Sequence, residues 1–147
     1  MKLAACGNDC DHCPRFIATQ SNEKSKLEEV ARLWHRAGYR DKIVLPEAMA
    51  CNGCIESIWC RYGIRGCTIE RGVSNCGECE DYPCEDILKA VEQALAFAEK
   101  IKDAASEEDY RRLNKAFFCK RANLDKVHSE RRKNKIEPSN GSNRQTR

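Results

Sequence analysis

The sequence predicts a small, mainly α, metal-stabilised fold: a Cys-rich irregular metal-binding region packed on about three helices, an N-terminal helix plus a C-terminal helical hairpin. Three observations lead there. The 147 residues include 11 cysteines, while only 7% are aromatic and 33% are charged, so an ordinary apolar core is thin and the chain needs staples. Ten of the cysteines fall into three clusters. The stretches that flank the clusters carry the 3.6-residue apolar periodicity of amphipathic helices.

Taken in order, residues 6–20 read as a Cys-rich lead-in. A helix is expected near 22–39, where Leu27, Val30, Ala31, Trp34 and Ala37 share one face. Ser21 or Asn22 suits its start and Gly38 its end. Residues 40–84 hold seven cysteines and five glycines, and a stretch so poor in apolar side chains must be organised by its ligands. A second helix is expected near 84–104. Pro83, Glu85 and Asp86 suit its start, and Ile87, Val91, Ala94, Leu95, Ala98 and Ile101 line one face. A third, near 106–127, starts at Ser106 and carries Tyr110, Leu113, Phe117, Leu124 and Val127. Residues 1–127 thus form a single domain. From 128 to 147 the chain reads as a disordered basic tail, with six Lys/Arg against two Glu and no apolar period.

The chemistry lies in the cysteine spacing. The clusters are Cys6, Cys10 and Cys13; Cys51 and Cys54, followed by Cys60 and Cys67; and Cys76, Cys79 and Cys84. Two cysteines separated by two residues can place both sulfurs on one ion, and Gly53 and Gly77 let such turns form. The pairs Cys51/Cys54 and Cys76/Cys79 stand at nearly zinc-ribbon spacing. They are the expected first site, leaving Cys6, Cys10, Cys13, Cys60, Cys67 and Cys84 as the pool for a second. An interleaved arrangement, with one pair from each distant cluster on each ion, stands beside that partition. Two zinc ions are the expected cofactor, with an iron–sulfur cluster as the alternative. A thiol-redox reading is weaker, because Cys76 and Cys79 follow no strand-like run.

Other candidates are subordinate. His12 lies between two cysteines and is a possible substitute ligand. Trp59 and Tyr62 are expected to shield the metal, His35 to be structural or exposed, His128 to belong to the tail, and Cys119 to be a small buried residue beside solvated Lys120 and Arg121. The opening residues lack the apolar length of a signal-peptide core, and no run reaches the roughly 18 apolar residues of a membrane span. A cytoplasmic protein without membrane contact is therefore expected.

The order of motifs resembles an uncharacterised prokaryotic cysteine-rich family, domain of unknown function 3795. Residues Cys6 to Thr19 follow its opening pattern CGxDCxxCPxxxAT. A C-x-G-C element matches Cys51 to Cys54, an IR-x-C element Ile64 to Cys67, and a C-x2-C-x2-YPC element Cys76 to Cys84. The resemblance covers roughly residues 4–120 and implies zinc binding without naming an activity. A further cysteine is expected just before the IR element, where this chain has Gly63 nearby and Cys60 earlier.

The expected function is a non-catalytic zinc-binding interaction module with structural four-thiolate sites and an unknown protein partner. Two alternatives stand beside it. One is an iron–sulfur redox or electron-transfer protein or a thiolate–metal enzyme; the other is a zinc protein that binds nucleic acid through its basic tail. An enzyme is the less expected case, since all ten clustered thiols can be consumed as ligands and no His/Glu pair stands at helical spacing.

Overall fold

The computed structural model describes residues 1–54 and 62–136, and within them the chain is mainly helical. The helices are α1 (Pro14–Ser21), α2 (Lys24–Arg36), α3 (Ile64–Arg71), α4 (Glu85–Lys102), α5 (Glu107–Leu113) and α6 (Lys120–Ile136). The described residues contain no strand, only an isolated antiparallel bridge between Leu3 and Asp9.

Four of these helices cover the three expected ones, and α1 and α3 add to them. Pro14 at the first helical position starts α1 inside the expected lead-in, and Asn22, in the left-handed conformation, ends it. Asn22 therefore closes α1 instead of capping α2. The next helix then buries Val30, Ala31, Leu33 and Trp34, as its periodicity requires. Helix α3 lies in the stretch expected to be irregular. It is only eight residues long, and Gly72 in the left-handed region stops it.

Along α4, Ile87, Ala90, Ala98 and Ile101 are buried, while Leu95 is half exposed, so the buried face takes in Ala90 and leaves out Leu95. The third expected helix is divided. Ser106 caps α5 by accepting from Asp109 N at 3.1 Å, a π-helical turn spans Asn114–Phe118, and α6 resumes at Lys120. Leu113 before this turn and Leu124 after it are both fully buried. Helix α6 runs on to Ile136, nine residues beyond the boundary that composition set for the tail, and so carries Arg131, Arg132, Lys133 and Lys135. Residues 137–147 lie outside the described residues.

The interior is divided into two apolar cores that share α4. One joins Ala18, Val30, Leu33, Trp34, Met49, Leu113 and Phe118 to Ala98 and Ile101 of the C-terminal half of α4. Its aromatic rings interlock: Trp34 stacks on Tyr39 at 5.3 Å, and Tyr39 on Phe97 at 4.3 Å. The other core joins Ala5, Ile64, Tyr82 and Leu124 to Ile87 and Ala90 of the N-terminal half of α4. Truncating a fully buried leucine such as Leu113 or Leu124 costs about 2–5 kcal/mol. The cysteines lie at the edges of these cores.

Candidate metal centre

Two turns of the same design open the site. Asp9 precedes Cys10 and accepts from Asp11 N at 3.0 Å; Asn75 precedes Cys76 and accepts from Gly77 N at 2.9 Å. Each side chain thereby fixes a single 3-10 turn, Cys10–His12 or Cys76–Glu78. In both, the second cysteine donates its N–H back to the first, Cys13 to Cys10 and Cys79 to Cys76, each at 3.1 Å. Both turns hang from one short segment, since Cys10 N donates to Lys2 O and Cys76 N to Ala5 O, each at 2.9 Å.

A second C-x2-C element meets the first turn. Helix α1 positions it: Arg15 donates to Met49 O at 2.9 Å and to Ala50 O at 3.2 Å, and Thr19 Oγ1 accepts from Cys51 N at 2.9 Å. Arg15 and Thr19 are one helical turn apart, so α1 lays the segment before Cys54 beside Cys10 and Cys13. Gly53, with φ of 109°, makes the sharp turn expected of it. Burial pushes the Cys10 thiol up to about 12, helped by the neighbouring charges of Cys13, Cys51 and Cys54. Cys13 is raised as well, first by burial and further by Cys51.

The other thiols gather around Cys76. Burial raises it to about 12, with added repulsion from Cys84, Cys6, Cys67 and Cys79. Two cations face this group. Arg71 Nη1 lies 3.3 Å from Cys79 Sγ and 2.6 Å from Asp81 Oδ2. The buried Lys120 reaches Cys6 Sγ at 3.3 Å and also donates to Asn8 Oδ1.

Helix α6 clamps the same group. Gly77 is close enough to it that an added Cβ would come within 2.8 Å of Leu124 O and of Val127 Cβ. His128 Nδ1 lies 3.0 Å from Gly77 O, its ring 5.2 Å from that of Tyr82, and Asn123 donates to Gly7 O at 3.0 Å.

The cysteine clusters thus interleave, each turn having thiols from another cluster among its charged neighbours. Cys51 and Cys54 stand with Cys10 and Cys13, whereas Cys76 and Cys79 stand with Cys6, Cys67 and Cys84. Cys54 lies where the groups adjoin and also packs against the core that holds Cys76. The first cluster is divided for a geometric reason. The Leu3–Asp9 bridge reverses the chain, so Cys6 sits at the tip of the loop and Cys10 at its open end. The ten described cysteines are free thiols, and among the described residues no three Cys, His, Asp or Glu side chains are drawn tightly enough together to hold a metal ion. Cys60 and Trp59 lie outside the described residues.

Sequence reasoning placed several neighbours differently. His12 turns its Nδ1 to Asp9 Oδ2 at 2.7 Å. Tyr62 donates to Gln93 Oε1 at 2.8 Å on the exposed surface. Cys119 is half-buried, Lys120 is buried instead of solvated, and His128 belongs to the site instead of a tail. The Asx residue before Cys10 and before Cys76 was the readable signal for the paired turns; nothing in the spacing announced α6 as their clamp.

Among the described residues no helix is long and apolar enough to cross a membrane. A family model described as "Protein of unknown function (DUF3795)" matches residues 2–89. No curated protein and no solved structure matches the chain.

Proposed function

The chain belongs to the DUF3795 family of proteins of unknown function, and from that premise we propose that it is a non-catalytic zinc-binding protein with two structural four-thiolate sites. The observation that carries this reading is the meeting of thiols from sequence-distant clusters, Cys10 and Cys13 with Cys51 and Cys54, and Cys76 and Cys79 with Cys6, Cys67 and Cys84. An all-sulfur donor set suits zinc. When bound, zinc supplies the divalent charge that the crowded thiolates need. The chain's own residues prepare the geometry. Asp9 and Asn75 fix the two turns, Arg15 and Thr19 bring Cys51 to the first, and Lys120 and Arg71 set positive charge against two sulfurs of the second. A tetrahedral ion held by four thiolates has no open position for substrate, which makes the sites structural and leaves the folded surface to serve a protein partner.

Elemental analysis and a visible spectrum of anaerobically purified protein test this. Two zinc ions per chain and no colour are expected. Brown protein with thiolate–iron absorbance overturns zinc in favour of an iron–sulfur electron carrier. Cys10→Ser and Cys51→Ser are expected to lose the same ion and Cys76→Ser the other. Loss of one shared ion by Cys51→Ser and Cys76→Ser overturns the interleaving.

A further inference from the structure

Resting on the reading that the folded surface serves a protein partner, and on nothing about the metal, we propose that the groove between α2 and residues 42–48 takes the carboxyl-terminal end of a partner polypeptide in extended conformation. The groove holds about 580 Å³, and no cysteine lines it.

One wall is an open strand. Exposure alternates along it: Ile43 is 55% and Leu45 74% exposed, while Val44 and Pro46 are half-buried. Val44 packs against the core that holds Trp34. This is the pattern of a strand with one face on a core, and Leu45 has the extended dihedrals to match. Among the described residues no hydrogen bond reaches the main chain of Ile43 or Val44. Unpaired main chain beside exposed apolar side chains is a template for an added strand.

The rest of the lining sets the chemistry of what is added. Ala31 of α2, Pro46 and Ala48 make it apolar, and Arg32 and Lys42 stand on it as two cations against one acid, Glu28. Lys24, Lys26 and Arg36 of the same helix each pair with an acid, at 3.7, 3.3 and 3.1 Å. Among the described residues Arg32 and Lys42 have no such partner, although Glu28 lies one turn before Arg32. The site therefore suits a ligand that brings extended main chain, an apolar side chain and negative charge together. The last residue of a polypeptide carries all three.

A second copy of the chain fits less well. Antiparallel pairing of two copies about Val44 would set Asp41 of one opposite Glu47 of the other, and like charges directly opposed destabilise a strand pair. The outward apolar face consists of Ile43 and Leu45, and two side chains do not supply the roughly 800 Å² that each partner buries in a standard interface.

Fluorescence polarisation of the full-length protein tests this, with a library of hexapeptides labelled at the amino end and varied over the last four residues. Members that bind should end in an apolar residue, and amidating the carboxylate should weaken them about tenfold. Arg32→Gln should weaken the free acids and remove their advantage over the amides, Glu28→Gln should tighten them, and Leu45→Ser should weaken both forms. None of these three side chains is buried, so melting temperature should stay unchanged. Equal binding of acids and amides overturns the proposal, as does no binding at protein concentrations up to about 1 mM. Dimerisation in sedimentation that Leu45→Ser abolishes gives the face to a second copy and also overturns it. Zinc-free protein that binds the free acids defeats the metal reading alone; zinc-loaded protein that binds none defeats this one alone.

Discussion

Tyr82 donates its hydroxyl proton to Asp125 Oδ1 at 2.7 Å, joining the residue two before Cys84 to the middle of α6. The bond is made from a buried ring to a carboxylate that Arg121 also holds at 2.9 Å. Tyr82→Phe is expected to cost about 0.5–1.5 kcal/mol, read as a shift in the urea midpoint.

The same pair sets a pH window. The hydrogen bond from Tyr82 lowers Asp125 from its usual 3.8, so this contribution to stability is present above pH 3.8 and fades as acid protonates the folded carboxylate. Burial raises Tyr82 above its usual 10.0, with Asp125 adding to the shift, so its contribution is present below pH 10.0 and fades as base ionises the folded phenol. The stability gap between wild type and Tyr82→Phe should be flat through neutral pH and narrow at both ends. A gap independent of pH refutes this account of the contact.

Thr19→Val keeps the shape of the side chain and removes the acceptor for Cys51 N. A stability loss of about 1–3 kcal/mol is expected. Competition with a zinc indicator should show weakened binding of the first ion and an unchanged second. Equal weakening of both argues that Thr19 acts on the fold at large.

Gly77→Ala and Gly66→Ala separate steric contact from backbone freedom. At Gly77 the new methyl meets Leu124 O, a backbone atom, and displacement of α6 at about 1–3 kcal/mol is expected. At Gly66, inside α3, it meets nothing within 4 Å, and a gain of roughly 0.5–1 kcal/mol is expected. Hydrogen exchange of α6 amides reads the first, and thermal melting the second.

Chelation of zinc should act on one half of the molecule more than the other. The core around Trp34, Tyr39 and Phe97 is built from ring and aliphatic contacts, while that around Cys76 includes the thiols themselves. In a Trp59→Phe background, Trp34 fluorescence should survive chelation while α6 amides lose protection. Simultaneous loss of both signals means the two cores fold as one unit.

The periodic signals were legible because they reflect burial. Val30, Ala31, Trp34, Ile87, Ile101, Leu113 and Leu124 all reach the interior as their spacing required. Helix α3 was hidden by its shortness, and the break at Asn114–Phe118 by side chains that suit either helical form. The neighbours of each cysteine were illegible for another reason. Spacing along the chain ranks neighbours by sequence distance, whereas the reversal at Leu3–Asp9 separates Cys6 from Cys10 and sends it 70 residues onward to Cys76. Lys120 and His128 look solvated when each is read alone. Their roles depend on where α6 docks, which no local pattern encodes.

The segment from Lys2 to Ala5 receives both cysteine turns, and this imposes an order on biosynthesis. The turn at Cys10 closes onto Lys2 O as soon as the first residues leave the ribosome, whereas Ala5 O waits for Cys76. The clamp on the second turn comes later still, with Leu124 and His128. A growing chain can thus complete its first thiol group once Cys54 emerges, while the second stays unclamped almost until translation ends. A chain stalled before α6 leaves the turn at Cys76 without the contacts of Leu124 and His128.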